Sequence, residues 1–297
     1  MGSELAAAFT EAREVFEAVD DALDQHLSRL MAEGPESDLT LTRNAQPALM
    51  AVSLAAVRVL EKQGGVVLAA KGTHAAGHSL GEYTALAATG AFGLPDTARL
   101  LRTRGEAMQS AVPVGEGTMA ALMGLDMETV RAVTQEAAQG GVCAPANDNA
   151  PGQIVISGHT AAVERAIEIA KARGAKRAVK LAVSAPFHCS LMQPAADAMQ
   201  AALAETNIAE PSLPVIANVD AAPMRAPATI RERLVAQVTS PVRWRESVLT
   251  MREAGVTSLV EVGAGKVLSG LARRIDRDLE AVSLGTPQDI EDFLTRV

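Results

Sequence analysis

The chain of 297 residues is 48% apolar but only 2% aromatic, so it can bury a large core of Ala, Val, Leu, Ile and Met, and its length suits two structural units. A formal net charge of −8 excludes a general nucleic-acid binder, which needs a basic footprint. Two widely separated cysteines, Cys143 and Cys189, exclude a disulfide framework or a C-x-x-C zinc pair and suit a reducing cytoplasm.

No apolar run approaches the roughly 18 residues of a membrane span, and the acidic opening lacks the basic-then-apolar pattern of a secretory signal. Ala6 stands where a myristoylated Met-Gly start needs Ser or Thr. In chain order, Leu5, Phe9, Phe16, Val19, Leu23, Leu27 and Leu30 recur at three- and four-residue steps, the spacing of one helical face, up to Gly34-Pro35. His26 falls within this run as a surface position. A second helix opens near Asn44 with Pro47 in its first turn, carries Leu49, Val52, Val57 and Leu60, and stops at Gly64-Gly65. Val66 to Ala76 reads as a short buried strand.

That strand delivers Gly77-His78-Ser79-Leu80-Gly81, a G-x-S-x-G elbow. Such a turn forces a serine hydroxyl outward, and the helix that follows, Tyr83 to Ala88, points its N-terminal amides at any negative charge formed beside it. Leu94 to Val112 forms another helix, on which Arg99 and Arg102 read as solvated or paired surface charges. Between Pro113 and Ser184 the order is strand, helix, strand, strand, helix, strand. Its strands are Thr118–Leu122, Val142–Ala146, Gln153–Ser157 and Lys176–Val183, its helices are Glu128–Ala138 and Thr160–Ala172, and a turn covers 147–152. This β-α-β-β-α-β order is that of a small ferredoxin-like unit, inserted at 113–184 into a large α/β unit of 1–112 and 185–297. In the large unit strands alternate with helices, which predicts a parallel sheet covered on both faces, an α/β-hydrolase-like core.

A serine attacks an acyl carbon only if an imidazole takes its proton. Of five histidines, His78 lies inside the elbow and points elsewhere, His74 and His159 precede a strand end and a helix, and His188, in Ser184-Ala185-Pro186-Phe187-His188, is the base by elimination. Further on, Leu213–Asn218 reads as a strand, Arg231–Gln237 as a helix and Ser258–Val262 as a strand leading through Gly263-Ala264-Gly265 to a helix over Lys266–Ile275. Gly265-Lys266 is a tight turn rather than a phosphate loop, because Val260 and Val267 stand where Gly and Ser or Thr are required.

Seven segments then agree in order and spacing. They are Gly77-His-Ser-Leu-Gly-Glu82, Arg104-Gly-Glu-Ala-Met-Gln109, Asn149-Ala-Pro-Gly-Gln153, Ala185-Pro-Phe-His188, Asn218-Val-Asp220, Gln237-Val-Thr-Ser-Pro-Val-Arg-Trp244 and Glu261-Val-Gly-Ala-Gly-Lys266. Over essentially the whole chain they resemble the malonyl-CoA:acyl carrier protein transacylases of bacterial fatty acid synthesis. The resemblance implies that Ser79 takes the malonyl group and that His188 is its base, oriented by main-chain carbonyls near Gln237 rather than by an aspartate. It implies that Arg104, with Gln237, binds the substrate, the planar fork pairing with the malonyl carboxylate and penalising uncharged acyl groups. Leu80 N–H would donate to the oxyanion.

The resemblance further implies malonyl-CoA and the phosphopantetheine thiol of an acyl carrier protein as substrates, ping-pong kinetics, no cofactor, no metal, a cytoplasmic setting and a monomer. A basic rim of Lys176, Arg177, Lys180, Arg273 and Arg274 is the expected landing place for an acidic carrier. The family's opening Phe-Pro-Gly-Gln-Gly-Ser-Gln loop is not found in the sequence. Its glutamine would supply a second oxyanion donor, so turnover is expected to be reduced without the loop; of a start codon assigned too late, a truncation and a divergent protein, the first is expected. A serine hydrolase or thioesterase, and a weakly active acyl-CoA-binding remnant, are the alternatives carried forward.

Overall fold

A computed structural model describes residues 1–183 and 185–296. An N-terminal helical layer holds α1 (Ser3–Ala8), α2 (Thr10–Leu23), α3 (Leu27–Glu33), α4 (Glu36–Leu39) and α5 (Thr42–Gly64). Single-turn α6 (Leu68–Lys71) leads to β1 (Ala75–Ala76), α7 (Leu80–Ala88) and α8 (Leu94–Ser110). A second unit runs β2 (Gly117–Met123), α9 (Met127–Ala138), β3 (Cys143–Ala150), β4 (Gln153–His159), α10 (Thr160–Ala172) and β5 (Arg177–Lys180). The chain returns through α11 (Gln193–Glu205), β6 (Val215–Ile216), β7 (Pro223–Met224), α12 (Pro227–Thr239) and α13 (Trp244–Glu253). It ends with β8 (Ser258–Val262), α14 (Val267–Ile275), β9 (Glu280–Leu284) and α15 (Pro287–Leu294).

Helix α5 is the axis of the large unit. Small and aliphatic residues from Ala48 to Leu60 are buried around most of its circumference, and the helix stops at Gly65 in the left-handed conformation. Each large aliphatic side chain withdrawn here contributes about 1.5–3 kcal/mol. Helix α8 packs against α5 at Gly105, where a Cβ would stand 2.5 Å from the Arg43 Cα. That close approach sets the depth at which the neighbouring Arg104 enters the molecule.

In the second unit the strand order is β3-β4-β2-β5, antiparallel throughout, with both helices on one face. The period-2 alternation of β2 divides the faces. Ala120 and Leu122 join Val130, Val133, Ile154, Ile156, Val163 and Ile167 beneath the helices, while Met119 packs with Ala146, Val155 and Phe187 on the other side. Asp126 caps α9 by accepting from Thr129 N at 2.7 Å. The predicted end of this unit, Ser184, lies outside the described residues.

Two expectations, for 66–76 and 147–152, are corrected, and the parallel pairing expected of the large unit is present in two short pieces. Val66–Ala76 is not one strand: Leu68–Lys71 coils into a helical turn and only Ala75–Ala76 pairs, in parallel with Val215–Ile216. No continuous parallel sheet forms among the described residues; β1, β6 and β7 make one short mixed sheet, and β8 and β9 a separate parallel pair. Asn147, Asp148 and Asn149 are not a turn but the end of β3, and the hairpin bend is confined to Pro151-Gly152. These polar residues stay in the strand because each finds a distant partner. Asp148, buried, pairs with Arg245 at 2.8 Å and its N–H donates to Val242 O, Asn147 bridges to Val242, and Asn149 Oδ1 meets His78 Nε2 at 2.9 Å.

The Gly263–Lys266 turn confirms its structural reading. The Glu261 carboxylate accepts from Leu268 N at 3.0 Å and from Ser269 N at 2.8 Å, so the α14 amides that a phosphate would need are already taken.

Candidate active site

Elbow geometry follows from two residues. Ser79 has φ 54° and ψ −109°, a conformation unusual for an L-residue, between β1 and the first turn of α7. Gly77 permits it, because a Cβ there would lie 1.9 Å from Gly81 O. Asn218, just beyond β6, holds the turn: its Oδ1 accepts from Ser79 N at 2.8 Å and its Nδ2 donates to Gly77 O at 2.8 Å. Leu80 opens α7, so its N–H has no acceptor inside the helix and is free to meet a developing oxyanion.

His188 reaches the same point from the loop after β5. Its Nε2 lies 2.8 Å from Ser79 Oγ, and its Nδ1 lies 3.0 Å from the backbone carbonyl of Gln237 on α12. A carbonyl only accepts, which fixes the proton on Nδ1 and leaves Nε2 to take the serine's. Burial, and then the charge of Arg104, push the imidazole pKa down to about 3. The imidazole is therefore neutral at neutral pH, the state a general base requires. Acylation should keep its rate as pH falls through 6.5, where an ordinary imidazole would protonate, and fail only nearer the lowered value. An acid limb at or above 6.5 in kcat/KM would contradict this placement of the base. The linkage has the same sign: stability from the neutral buried imidazole is present above about 6.5 and lost as pH falls towards the folded value.

Arg104 comes from α8 and is 1% exposed. Nη1 donates to Gln46 Oε1 at 2.7 Å, and Nη2 to Gln237 Oε1 at 2.9 Å and Ser79 Oγ at 3.1 Å. Its guanidinium carbon stands 5.6 Å from the centre of the Tyr83 ring. Nε is buried without a partner, and among the described residues no carboxylate lies within ion-pair distance. Burial lowers its pKa. A desolvated guanidinium held by neutral acceptors beside the nucleophile is a place prepared for an anion.

Ser79, His188, Arg104, Gln237 and Leu80 are thus brought together. His78 is turned away towards Asn149 and stacks at a tilt on Trp244, with ring centres 5.8 Å apart. Gln46, Asn218 and Glu82 complete the network without having been singled out as site residues in sequence. The only local signal for Gln46 is a polar residue on the apolar face of α5, and for Glu82 its place in the elbow segment. In the expected basic rim, Lys180 pairs with Glu164, which offsets its charge, while Arg274 donates to Gln153 and Arg273 to Ala281 O, neutral acceptors that take up donors but leave both charges in place.

Serine, imidazole and oxyanion donor on an elbow define an acyl-transferring class of protein, and comparison with known proteins agrees. The family model for the acyl transferase domain matches residues 1–284. The malonyl CoA-acyl carrier protein transacylase of Bacillus subtilis is 44% identical over 292 residues, 98% of this chain and 90% of that protein. The crystal structure of the acyl-carrier-protein-S-malonyltransferase from Bartonella henselae superposes with a TM-score of 0.97 at 55% identity, covering 100% of this chain and 94% of that one. A malonyl-transacylase solved in complex with a type II PKS acyl-carrier protein superposes with a TM-score of 0.96 at 42% identity, covering 100% and 95%. The chain belongs to the malonyl CoA-acyl carrier protein transacylase family.

Proposed function

We propose that this acyltransferase moves a malonyl group from malonyl-CoA to the phosphopantetheine thiol of an acyl carrier protein for fatty acid synthesis, through a malonyl ester on Ser79. The observation that carries the reading is the buried Arg104 guanidinium, without a carboxylate partner, 3.1 Å from the nucleophile. In the first half-reaction Ser79 Oγ attacks the thioester carbonyl as His188 Nε2 takes its proton. Leu80 N–H donates to the oxyanion. Collapse of the tetrahedral intermediate breaks the C–S bond, and the departing sulfur receives the proton from His188. The malonyl carboxylate displaces Ser79 Oγ from Arg104 Nη2 and occupies the fork, which fixes the acyl group while the first product leaves. In the second half-reaction His188 deprotonates the carrier thiol, the thiolate attacks the ester carbonyl, the bond from that carbon to Ser79 Oγ breaks, and His188 returns the proton to Ser79 Oγ.

Each step is assigned to these side chains and to the Leu80 N–H, and no metal or cofactor is given a part in it. We place the reaction in the cytoplasm: no helix among the described residues is long and apolar enough to cross a membrane, and both cysteines are free thiols. The relative solved with a carrier protein supports a carrier as the second substrate. Labelled malonyl-CoA supplied with phosphopantetheinylated carrier protein tests the acceptor. Label is expected on the carrier faster than it appears as free malonate. Release of malonate at the higher rate would make the protein a hydrolase.

A further inference from the structure

Glu82 is 0% exposed and makes no ion pair among the described residues, an unusual position for a carboxylate. It sits on α7 three residues after the nucleophile, and its Oε2 accepts from Gln237 Nε2 at 2.7 Å and from Asn218 N at 3.0 Å. Oε1 is buried without a partner. A residue needed only to fill this space would be apolar, since burying a carboxylate costs free energy that space-filling does not return.

Both groups it receives act on the site. Asn218 clamps the elbow at Ser79 N and Gly77 O. Gln237 offers its backbone carbonyl to His188 and its Oε1 to Arg104. A primary amide can face either way, and two acceptors at Nε2, Glu82 Oε2 at 2.7 Å and Ser79 O at 2.9 Å, turn Oε1 towards Arg104, Glu82 being the side chain of the two. With the amide reversed, an NH2 group would oppose the guanidinium, donor against donor.

We propose that Glu82 is a positioning residue whose Oε2 ties the elbow clamp Asn218 to Gln237, and through Gln237 sets both the base and the arginine fork. The proposal rests on the malonyl-transfer reading. The role needs an acceptor at this point rather than a charge, which separates two substitutions. Glu82→Gln keeps an acceptor oxygen in the same place; Glu82→Met keeps the bulk and removes it.

Steady-state kinetics with malonyl-CoA and acetyl-CoA, measured well below both melting temperatures, read the difference. A misplacement of about 1 Å at a reacting group costs about 10²-fold in rate, so Glu82→Met should lose roughly that factor in kcat and part of its malonyl-over-acetyl preference. Glu82→Gln should retain both to within about fivefold, a rescue that bulk alone does not provide. If the methionine variant does not fold, Glu82→Asp, which draws the oxygens back by one methylene, takes its place with the same expectation. A glutamine variant as slow as the methionine or aspartate variant would overturn the proposal, as would a methionine or aspartate variant with unchanged kcat. Labelling of Ser79 by a fluorophosphonate, which needs elbow and base but no malonyl group, runs beside it. Slower labelling in the methionine or aspartate variant than in glutamine supports Glu82 independently of the malonyl reading, and equal labelling in all variants overturns the assignment.

Discussion

Replacing His188 with alanine should slow acylation of Ser79 by about 10²–10⁴-fold, the range a positioned general base supplies. The effect belongs in kcat. His188 touches the serine hydroxyl through Nε2 and is held from behind by Gln237 O, so its ring contributes proton transfer rather than a surface for the acyl group. A serine hydroxyl without a base stays protonated at neutral pH and is a weak nucleophile. The measurement is single-turnover formation of the acyl-enzyme with excess malonyl-CoA. Folding is checked by the melting transition, because removal of a buried imidazole at a positive φ of 59° also alters packing. A variant that acylates within a few-fold of the parent would show that another group takes the proton.

The second large effect concerns selection of the acyl group. Arg104→Ala should lower kcat/KM for malonyl-CoA by about 10²-fold or more, in keeping with the roughly 2–5 kcal/mol lost when one partner of a buried charge pair is truncated. The same change should leave acetyl-CoA equally or better used, because the desolvated guanidinium that an uncharged acyl group leaves unpaired is gone. Arg104→Lys should not restore the preference. A lysine offers one compact ammonium where Gln46 Oε1, Gln237 Oε1 and the incoming carboxylate are spread around a planar fork. An unchanged ratio of malonyl to acetyl use in Arg104→Ala would remove the residue from its assigned role.

Local pattern made the second unit readable. Thr160–Ala172 there, and Ser258–Val262 in the large unit, fall where periodicity and flanking turn residues put them, since their limits depend on nearby sequence alone. That Ser79, His188 and Arg104 lie together is legible in the sequence, because each sits in a short motif and the motifs follow one another in a fixed order along the chain. Long-range satisfaction was not legible. Asn147, Asp148 and Asn149 have turn-forming chemistry, but Val242, Arg245 and His78, far away in sequence, keep them extended. Leu68–Lys71 lies in an apolar run that suits a strand or a helix equally, and it coils before the chain reaches β1. Gln46 and Glu82 are polar residues on buried helical faces. Their purpose is visible only when Arg104 and Gln237 arrive from other elements, 58 and 155 residues away in sequence respectively.

The malonyl ester on Ser79 is the claim on which the rest depends. Incubation with malonyl-CoA in the absence of any carrier, followed by intact mass and peptide mapping, tests it directly. One malonyl group per chain is expected, carried on the peptide that contains Gly77-His78-Ser79-Leu80-Gly81, absent from Ser79→Ala, and discharged when phosphopantetheinylated carrier protein is added. Turnover of malonyl-CoA without that group on the protein, or with the group on another residue, would rule out Ser79 as the acylated nucleophile.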